Sequence, residues 1–202
     1  WGFDGIFPGP LLVARYGEPI LVRQFNELPA NNNGFGINST TTHLHNGHTP
    51  SESDGYPCFF NPSGKFYDHH YPNVLAGINS THPGTGDIME SMHTLWYHDH
   101  RIDYTAQNVY KGLAGMYNLF HPEDSAYDTG NENTGFRLPS FPDYDINMVF
   151  NDAVYDAETD QLAFDLFNLD GILGDKMLVN GKVQPVLHVS PRRYRFRWLN
   201  MG

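Results

Sequence analysis

The sequence predicts an all-β protein rich in turns. Among its 202 residues are twenty glycines and fourteen prolines, 14 % of the residues are aromatic, and few stretches have helical periodicity. This composition is typical of short strands joined by tight turns. A chain of this length can bury a hydrophobic core and form one or two domains.

Short apolar runs separated by turn residues begin the chain. Residues 11–15 and 20–25 predict two strands of a sandwich, joined by a turn at 17–19. Residues 46–90 contain many prolines and glycines, which predicts a long irregular loop. Because a loop of this length is unusual in a compact domain unless it is functional, we expect it to wrap around one edge of a site.

A change of composition near the middle of the chain predicts a domain boundary. Residues 103–110 predict a helical turn with Asp103 as its N-cap, and residues 113–120 predict the strand that closes the first domain. The polar and acidic residues that follow predict a linker. We therefore expect a domain over 1–121 and a linker over 122–143.

The remaining residues, 144–202, predict the start of a second domain. Residues 145–151 alternate as a strand does, and residues 193–198 place aromatic side chains on one face and arginines on the other. Since a β-sandwich domain needs about 100 residues, only its opening strands are expected here.

Charge, hydropathy and cysteine content exclude several classes of protein. A formal net charge of −11 excludes a generic nucleic-acid binder. The sequence contains no run of 18 apolar residues, so it predicts no membrane span. Cys58 is the one cysteine, so an internal disulfide framework is excluded.

Two His-x-His pairs predict a metal site. His43 and His45 form the first pair, and His98 and His100 form the second, each within a run of strand composition. Residues two apart on a strand project from the same face, with alpha carbons about 7 Å apart. Two such pairs on neighbouring strands would bring four imidazoles together.

The ligand type restricts the metal. Neutral imidazole suits zinc, copper, iron and nickel, and Cys58 alone does not supply the thiolates of a structural zinc site. The pattern therefore favours copper or a catalytic zinc. The alternative is that these histidines are ordinary polar strand residues. One pair occurs often by chance, whereas two pairs in one chain favour the metal site.

Five histidines in and just beyond the loop at 46–90, and the acid between two candidate ligands, are expected to have supporting or surface roles. Among these histidines, His48 is the first candidate for an additional ligand because it lies next to the first pair, and the others are His69, His70, His82 and His93. Asp99 should point away from the metal by strand alternation, and it would then orient neighbouring backbone or an imidazole.

The two histidine motifs resemble the first and second copper-binding motifs of the multicopper oxidases, in the variant of spore-coat laccases, bilirubin oxidases and phenoxazinone synthases. Other segments that match in order are FPGP at 7–10, SDGYP at 53–57, NVYKGLAG at 108–115, LVNGK at 178–182 and PRRYRFR at 191–197. The resemblance covers almost the whole chain. It implies a cupredoxin-like Greek-key β-sandwich, complete in the first domain and begun in the second.

The resemblance also implies a cofactor and residue roles. His43 would be a type 2 copper ligand, and His45, His98 and His100 would be type 3 copper ligands. In the resemblance, Asp54 aligns with an acidic residue of the family that helps deliver protons during dioxygen reduction. A role as the turn residue of an Asp-Gly turn explains its presence equally well.

The function that the resemblance implies is that of a laccase-like oxidase. Such an enzyme couples one-electron oxidation of phenolic, aromatic amine, pigment or metal-ion substrates to four-electron reduction of dioxygen to water. Its partners would be dioxygen, a small reducing substrate and the remaining domains of the same protein. The implied location is extracytoplasmic: secreted, periplasmic or in the spore coat.

The chain departs from the family pattern in what it lacks. In the family a third cupredoxin domain supplies the type 1 copper and the remaining histidine ligands, and no His-Cys-His or His-Pro-x-His segment occurs here. We therefore expect an N-terminal fragment without the type 1 site, inactive alone. Asn46 stands where the family usually has glycine. A non-catalytic copper-binding cupredoxin module is the alternative, and a scaffold that has lost copper is disfavoured by the intact pairs.

Overall fold

Short β-strands make up nearly all of the regular structure in the computed structural model, which describes residues 1–74, 93–121, 123–124, 131–168 and 170–202. The strands are β1 (Gly9–Arg15), β2 (Ile20–Phe25), β3 (Ser39–Thr40), β4 (Thr42–His45), β5 (Asn61–Pro62), β6 (Phe66–Tyr71), β7 (His93–Asp99), β8 (Ala114–Phe120), β9 (Asp145–Ala153), β10 (Lys176–Val179), β11 (Lys182–Val183) and β12 (Arg195–Asn200). Helix α1 spans Thr105–Tyr110, and a 3-10 turn spans Ser51–Ser53. In the described residues no helix has the length and apolar character needed to cross a bilayer.

A four-stranded sheet carries both histidine pairs. Its strand order is β1-β8-β7-β4, with β1 parallel to β8 and the other neighbours antiparallel. In the register of β4 and β7, His43 lies opposite His98, and His45 lies opposite Trp96. The pairing therefore places the two histidine pairs side by side.

The core of the first sandwich lies between this sheet and the antiparallel pair of β2 and β6. Strand alternation divides the side chains between two faces. Leu44 lies between the histidines of the first pair and is buried in the core, as is Tyr97 just before the second pair. The same alternation directs the histidines to the other face. The buried members of the core are Ala14, Leu44, Tyr71, Leu95, Tyr97, Tyr117 and Leu119.

A second four-stranded sheet, of order β11-β10-β9-β12, contacts the first through polar side chains. The amides of Asn118 and Asn147 exchange two hydrogen bonds of 2.9 Å. Arg197 on β12 donates to Thr94 Oγ1 on β7 at 3.1 Å, and its guanidinium lies over the Phe120 ring. The domain boundaries at 121 and 144 stay a prediction.

The expected loop over 46–90 contains two strands, β5 and β6, so that prediction was wrong for part of its length. Strand β6 pairs along its full length with β2. Its last residues alternate, with His69 and Tyr71 buried. Pairing with β2 and burial against the core therefore outweigh the prolines on either side. Residues 75–90, including His82, lie outside the described residues.

One other local prediction differs from the structure. Tyr104, not Asp103, is the N-cap of α1, and no side chain caps the helix. Asp103 has φ +65° and lies in the turn before it. On β12 the predicted separation of arginines and aromatic residues onto two faces is present. The arginine face is the buried one: Arg197 is 3 % exposed, whereas Trp198 is 67 % exposed. Pairing of Arg197 with the buried Asp145 accounts for this orientation.

Candidate metal centre

Four histidine rings lie together where β4 and β7 pair. The ring centroids of His43 lie 5.5 Å from those of His45 and His98, and 5.4 Å from that of His100. His98 lies 5.4 Å from His45 and 5.6 Å from His100. The structure therefore brings together all four residues that the sequence predicts as ligands.

The ring nitrogens are close enough to share a metal ion. One nitrogen from each of His43, His45 and His98 lies within 4.8 Å of the others. The shortest approach is 3.2 Å, between His45 Nδ1 and His98 Nε2. His100 lies beside this group, with its ring against both His43 and His98.

Hydrogen bonds to the protein fix which nitrogen of each ring is available. His43 Nδ1 lies 2.5 Å from the Asp54 carbonyl oxygen, and His98 Nδ1 lies 2.7 Å from the Asp99 carbonyl oxygen. A carbonyl can only accept, so each Nδ1 carries the proton and each Nε2 keeps its lone pair. Such bonds orient metal-binding histidines in proteins.

Trp96 packs flat against two of the rings. Its ring centroid is 4.1 Å from that of His98 and 5.2 Å from that of His45, with interplanar angles of 29° in both cases. His98 is buried, and burial lowers its pKa to about 4. Burial, followed by the neighbouring His43 and His100, also lowers the pKa of His45. Both rings are therefore held in the neutral form that binds metal.

Asp54 lies at the edge of the cluster. Its Oδ1 atom is 3.4 Å from His43 Nδ1 and accepts a 2.7 Å hydrogen bond from Thr49 Oγ1. The following Gly55 has φ +78°. Asp54 therefore occupies the Asp-Gly turn that the sequence predicts, and it also lies beside the candidate ligand His43.

A cavity of about 460 Å³ opens beside His43, His100 and Asp54. Buried His69 also lines it, and its Nδ1 lies 3.4 Å from the Ser53 carbonyl oxygen. The sequence predicts His69 in a loop, but it lies on strand β6. Its burial follows from the pairing of β6 with β2, which places His69 and Tyr71 on the buried face of the strand.

Asp99 directs its carboxylate to the backbone and to α1, as strand alternation predicts. It accepts hydrogen bonds from the backbone nitrogens of Thr41 and Arg101 and from the Asn108 side chain. Burial raises its pKa to about 6. His48 is exposed and lies outside the metal-binding group found among the described residues.

The donor set fits copper. All four side chains are imidazoles, and two of them have an Nε2 lone pair fixed by a hydrogen bond on the far side of the ring. Imidazole ligands suit copper and zinc, whereas magnesium and calcium prefer oxygen ligands.

A comparison with protein families decides between these metals. The family model described as multicopper oxidase matches residues 1–124. The chain belongs to the multicopper oxidase family. Membership implies copper as the metal and confirms the resemblance in the histidine motifs.

Relatives of this multicopper oxidase chain include two curated enzymes. It is 31 % identical to the laccase of Bacillus subtilis (strain 168) over 234 residues, which covers 99 % of this chain and 40 % of that protein. It is 32 % identical to the bilirubin oxidase of Albifimbria verrucaria over 200 residues, covering 98 % of this chain and 29 % of that protein. The chain thus spans at most about two fifths of these two relatives.

Solved structures confirm the cupredoxin-like β-sandwich fold. A laccase from Pediococcus acidilactici matches 99 % of this multicopper oxidase chain and 37 % of its own, with a TM-score of 0.74 and 26 % identity. A variant of the McoA multicopper oxidase from Aquifex aeolicus matches 95 % of this chain and 35 % of its own, with a TM-score of 0.72 and 25 % identity.

Proposed function

We propose that this chain is part of a laccase-like multicopper oxidase and supplies four histidine ligands of a trinuclear copper centre. His43 would bind the type 2 copper, and His45, His98 and His100 would bind the type 3 pair. The convergence of four imidazoles, with centroids 5.4 to 5.6 Å apart in five of their pairs, carries this proposal.

The whole protein would oxidise phenolic, aromatic amine, pigment or metal-ion substrates one electron at a time and reduce dioxygen to water. Bound copper would supply the electron transfer that neither the histidines nor the carboxylates can perform. The relatives named laccase and bilirubin oxidase support this class of reaction. Its partners would be dioxygen, the reducing substrate and the remaining domains, in an extracytoplasmic location.

The residues of this chain would orient the centre. His43 and His98 present their Nε2 lone pairs because their Nδ1 protons are held by carbonyl oxygens. Trp96 restricts rotation of the His98 ring by stacking on it. Each dioxygen reduced to water also takes up protons, so the centre needs a proton path.

Asp54 is the candidate for proton delivery. Its side chain is 48 % exposed, so it can exchange protons with solvent. It also reaches His43 and lines the cavity beside His43 and His100. A carboxylate in this position can hold a proton close to the place where dioxygen would be reduced.

The test uses the full-length gene product loaded with copper. The unaltered protein should consume oxygen when given a phenol and show type 2 copper by electron paramagnetic resonance. His43→Ala should lose both properties, and the matched control His48→Ala should keep them. Oxygen consumption at the unaltered rate by His43→Ala would refute the ligand assignment. Copper binding without oxygen uptake by the unaltered protein would favour the non-catalytic copper-binding module.

A further inference from the structure

His100 lies just beyond the end of its strand. The pairing of β4 and β7 ends at Asp99, opposite Thr42. The backbone nitrogen of His100 instead donates to the Thr41 carbonyl oxygen at 2.8 Å. The strand ladder therefore does not by itself hold this histidine, and other contacts must fix its position.

The carboxylate of Asp99 supplies such contacts on both sides of His100. Asp99 Oδ1 accepts from the Thr41 backbone nitrogen at 2.9 Å, and Oδ2 accepts from the Arg101 backbone nitrogen at 3.1 Å. Thr41 thus donates to Asp99 and accepts from His100. Together these bonds tie the backbone before and after His100 to the segment that leads into β4.

Asn108 connects this carboxylate to helix α1. Its Nδ2 donates to Asp99 Oδ2 at 2.9 Å, and its Oδ1 accepts from the Ile37 backbone nitrogen at 3.0 Å. Both Asp99 and Asn108 are 0 % exposed. A buried carboxylate is costly unless donors surround it, and here three donors do so.

Helix α1 also reaches the ring of His100. Thr105 Oγ1 lies 3.4 Å from His100 Nδ1 and donates to the Arg101 carbonyl oxygen at 3.1 Å. The helix therefore approaches both the backbone and the imidazole of this residue.

We propose that Asp99 and Asn108 form a positioning unit that holds His100 in the copper centre. Neither side chain would bind metal; the pair would act through the backbone on either side of His100. This inference rests on the proposed function, because it concerns one ligand of the same centre. Outer contacts of this kind typically change metal affinity about 10- to 100-fold when removed.

The experiment breaks the hydrogen bond between the two side chains and then restores it. In full-length, copper-loaded protein, Asp99→Asn places an amide donor against the Asn108 amide and the Arg101 backbone nitrogen. The double variant D99N/N108D gives that new amide a carboxylate partner, which can still accept from Ile37. Asp103→Asn, at an exposed acid nearby, is the matched control.

The measurements are copper affinity by chelator competition, the type 3 absorption band and the thermal unfolding midpoint. We expect Asp99→Asn to bind type 3 copper about 10- to 100-fold more weakly. The double variant should recover part of that loss, because its amide regains a partner at residue 108 but still faces the Arg101 backbone nitrogen. Asp103→Asn should match the unaltered protein. A lower unfolding midpoint with unchanged affinity and type 3 band would show a merely structural role and overturn the proposal. So would a double variant no better than Asp99→Asn.

A second variant covers the case in which Asp99→Asn fails to fold. Asn108→Ser removes the link to α1 but leaves the Asp99 carboxylate with its two backbone donors, and it should weaken type 3 copper binding in the same direction. Unchanged copper binding by a folded Asn108→Ser would also overturn the proposal. If the unaltered protein holds no copper at the four histidines, the proposed function fails; normal copper binding by both the unaltered protein and Asp99→Asn refutes the positioning unit alone.

Discussion

The Nδ1 atom of His45 lies 3.2 Å from the Nε2 atom of His98, across the two strands that carry the histidine pairs. His98 Nδ1 donates to the Asp99 carbonyl oxygen, so His98 Nε2 can only accept. In the absence of metal, His45 must therefore be the donor in this contact. A metal ion between the two rings would replace that hydrogen bond.

Removing His98 should affect both copper binding and stability. His98→Ala deletes a ligand, the acceptor for His45 and the ring on which Trp96 stacks. We expect type 3 copper to be lost, and the copper-free protein to lose about 1–3 kcal/mol of unfolding free energy. Copper analysis and urea unfolding measure the two effects. His70→Ala, a half-buried histidine outside the cluster, should retain its copper, and equal copper loss in both variants would contradict the assignment.

Gly55 allows the turn at Asp54 to pass close to the first histidine pair. A Cβ atom at Gly55 would lie 2.4 Å from the Thr42 carbonyl oxygen and 2.7 Å from His43 Cα, in a backbone of φ +78°. Gly64 has a similar φ of +81° but nothing within 4 Å. Alanine substitutions at these two glycines therefore distinguish the cost of backbone strain, which both would incur, from the cost of a steric clash, which only Gly55 would incur.

We expect Gly64→Ala to lose about 1–2 kcal/mol of unfolding free energy from strain alone. Gly55→Ala should lose about 1–3 kcal/mol more and also bind less copper, because the collision displaces His43. Urea unfolding and copper analysis of both variants decide the matter. Equal stability and equal copper content in the two variants would show that the close approach does not matter.

Stability should fall in acid because His69 is buried. Burial lowers its pKa below the ordinary value of about 6.5. His69 therefore binds a proton more readily in the unfolded chain than in the folded one. The stability that neutral His69 contributes is fully present above pH about 6.5 and is lost as the pH falls below that value. One proton gives a slope of at most about 1.4 kcal/mol per pH unit.

Replacement of His69 by glutamine should reduce this pH dependence. Copper-free unaltered protein, His69→Gln and His70→Gln are compared by urea unfolding at several pH values below 7. His69→Gln should show the shallower slope, and His70→Gln, on the other face of the same strand, should follow the unaltered protein. A slope unchanged in His69→Gln would mean that other groups cause the acid instability.

The buried ion pair of Arg197 should matter to stability. Arg197 Nε and Nη2 each donate to the Asp145 carboxylate at 2.8 Å, and both residues are almost fully buried. Arg197→Met leaves that carboxylate with a weaker set of partners and should cost about 3–5 kcal/mol of unfolding free energy. Thermal or urea unfolding measures it. Arg193→Met, at an exposed arginine on the same segment, should change stability by less than about 0.5 kcal/mol, and a similar loss in both variants would argue against the pair.

Local patterns predicted the strands well, whereas the roles of the four histidines as ligands stay a prediction. The strand expected at 20–25 has those bounds, and those expected at 113–120 and 145–151 differ by one or two residues. The His-x-His spacing predicted shared faces because strand alternation is a local property. Placing the two pairs together required strand pairing, which the composition of both runs favoured.

Features that depend on distant partners were not predictable in this way. Strand β6 forms because β2 pairs with it, whereas the prolines on either side of it predict a loop. The alternation in β12 indicated two faces, but Asp145 on β9 is what makes the arginine face the buried one. The contact between Asp99 and Asn108 likewise depends on how α1 packs beside β7, which neither segment reveals alone.

The most direct test of the copper centre is a crystal structure of the copper-loaded, full-length protein with anomalous scattering from copper. Copper is expected at about 2 Å, the usual metal–imidazole distance, from Nε2 of His43, His98 and His100 and from Nδ1 of His45. Copper bound by other side chains, with these four imidazoles unligated, would contradict this expectation.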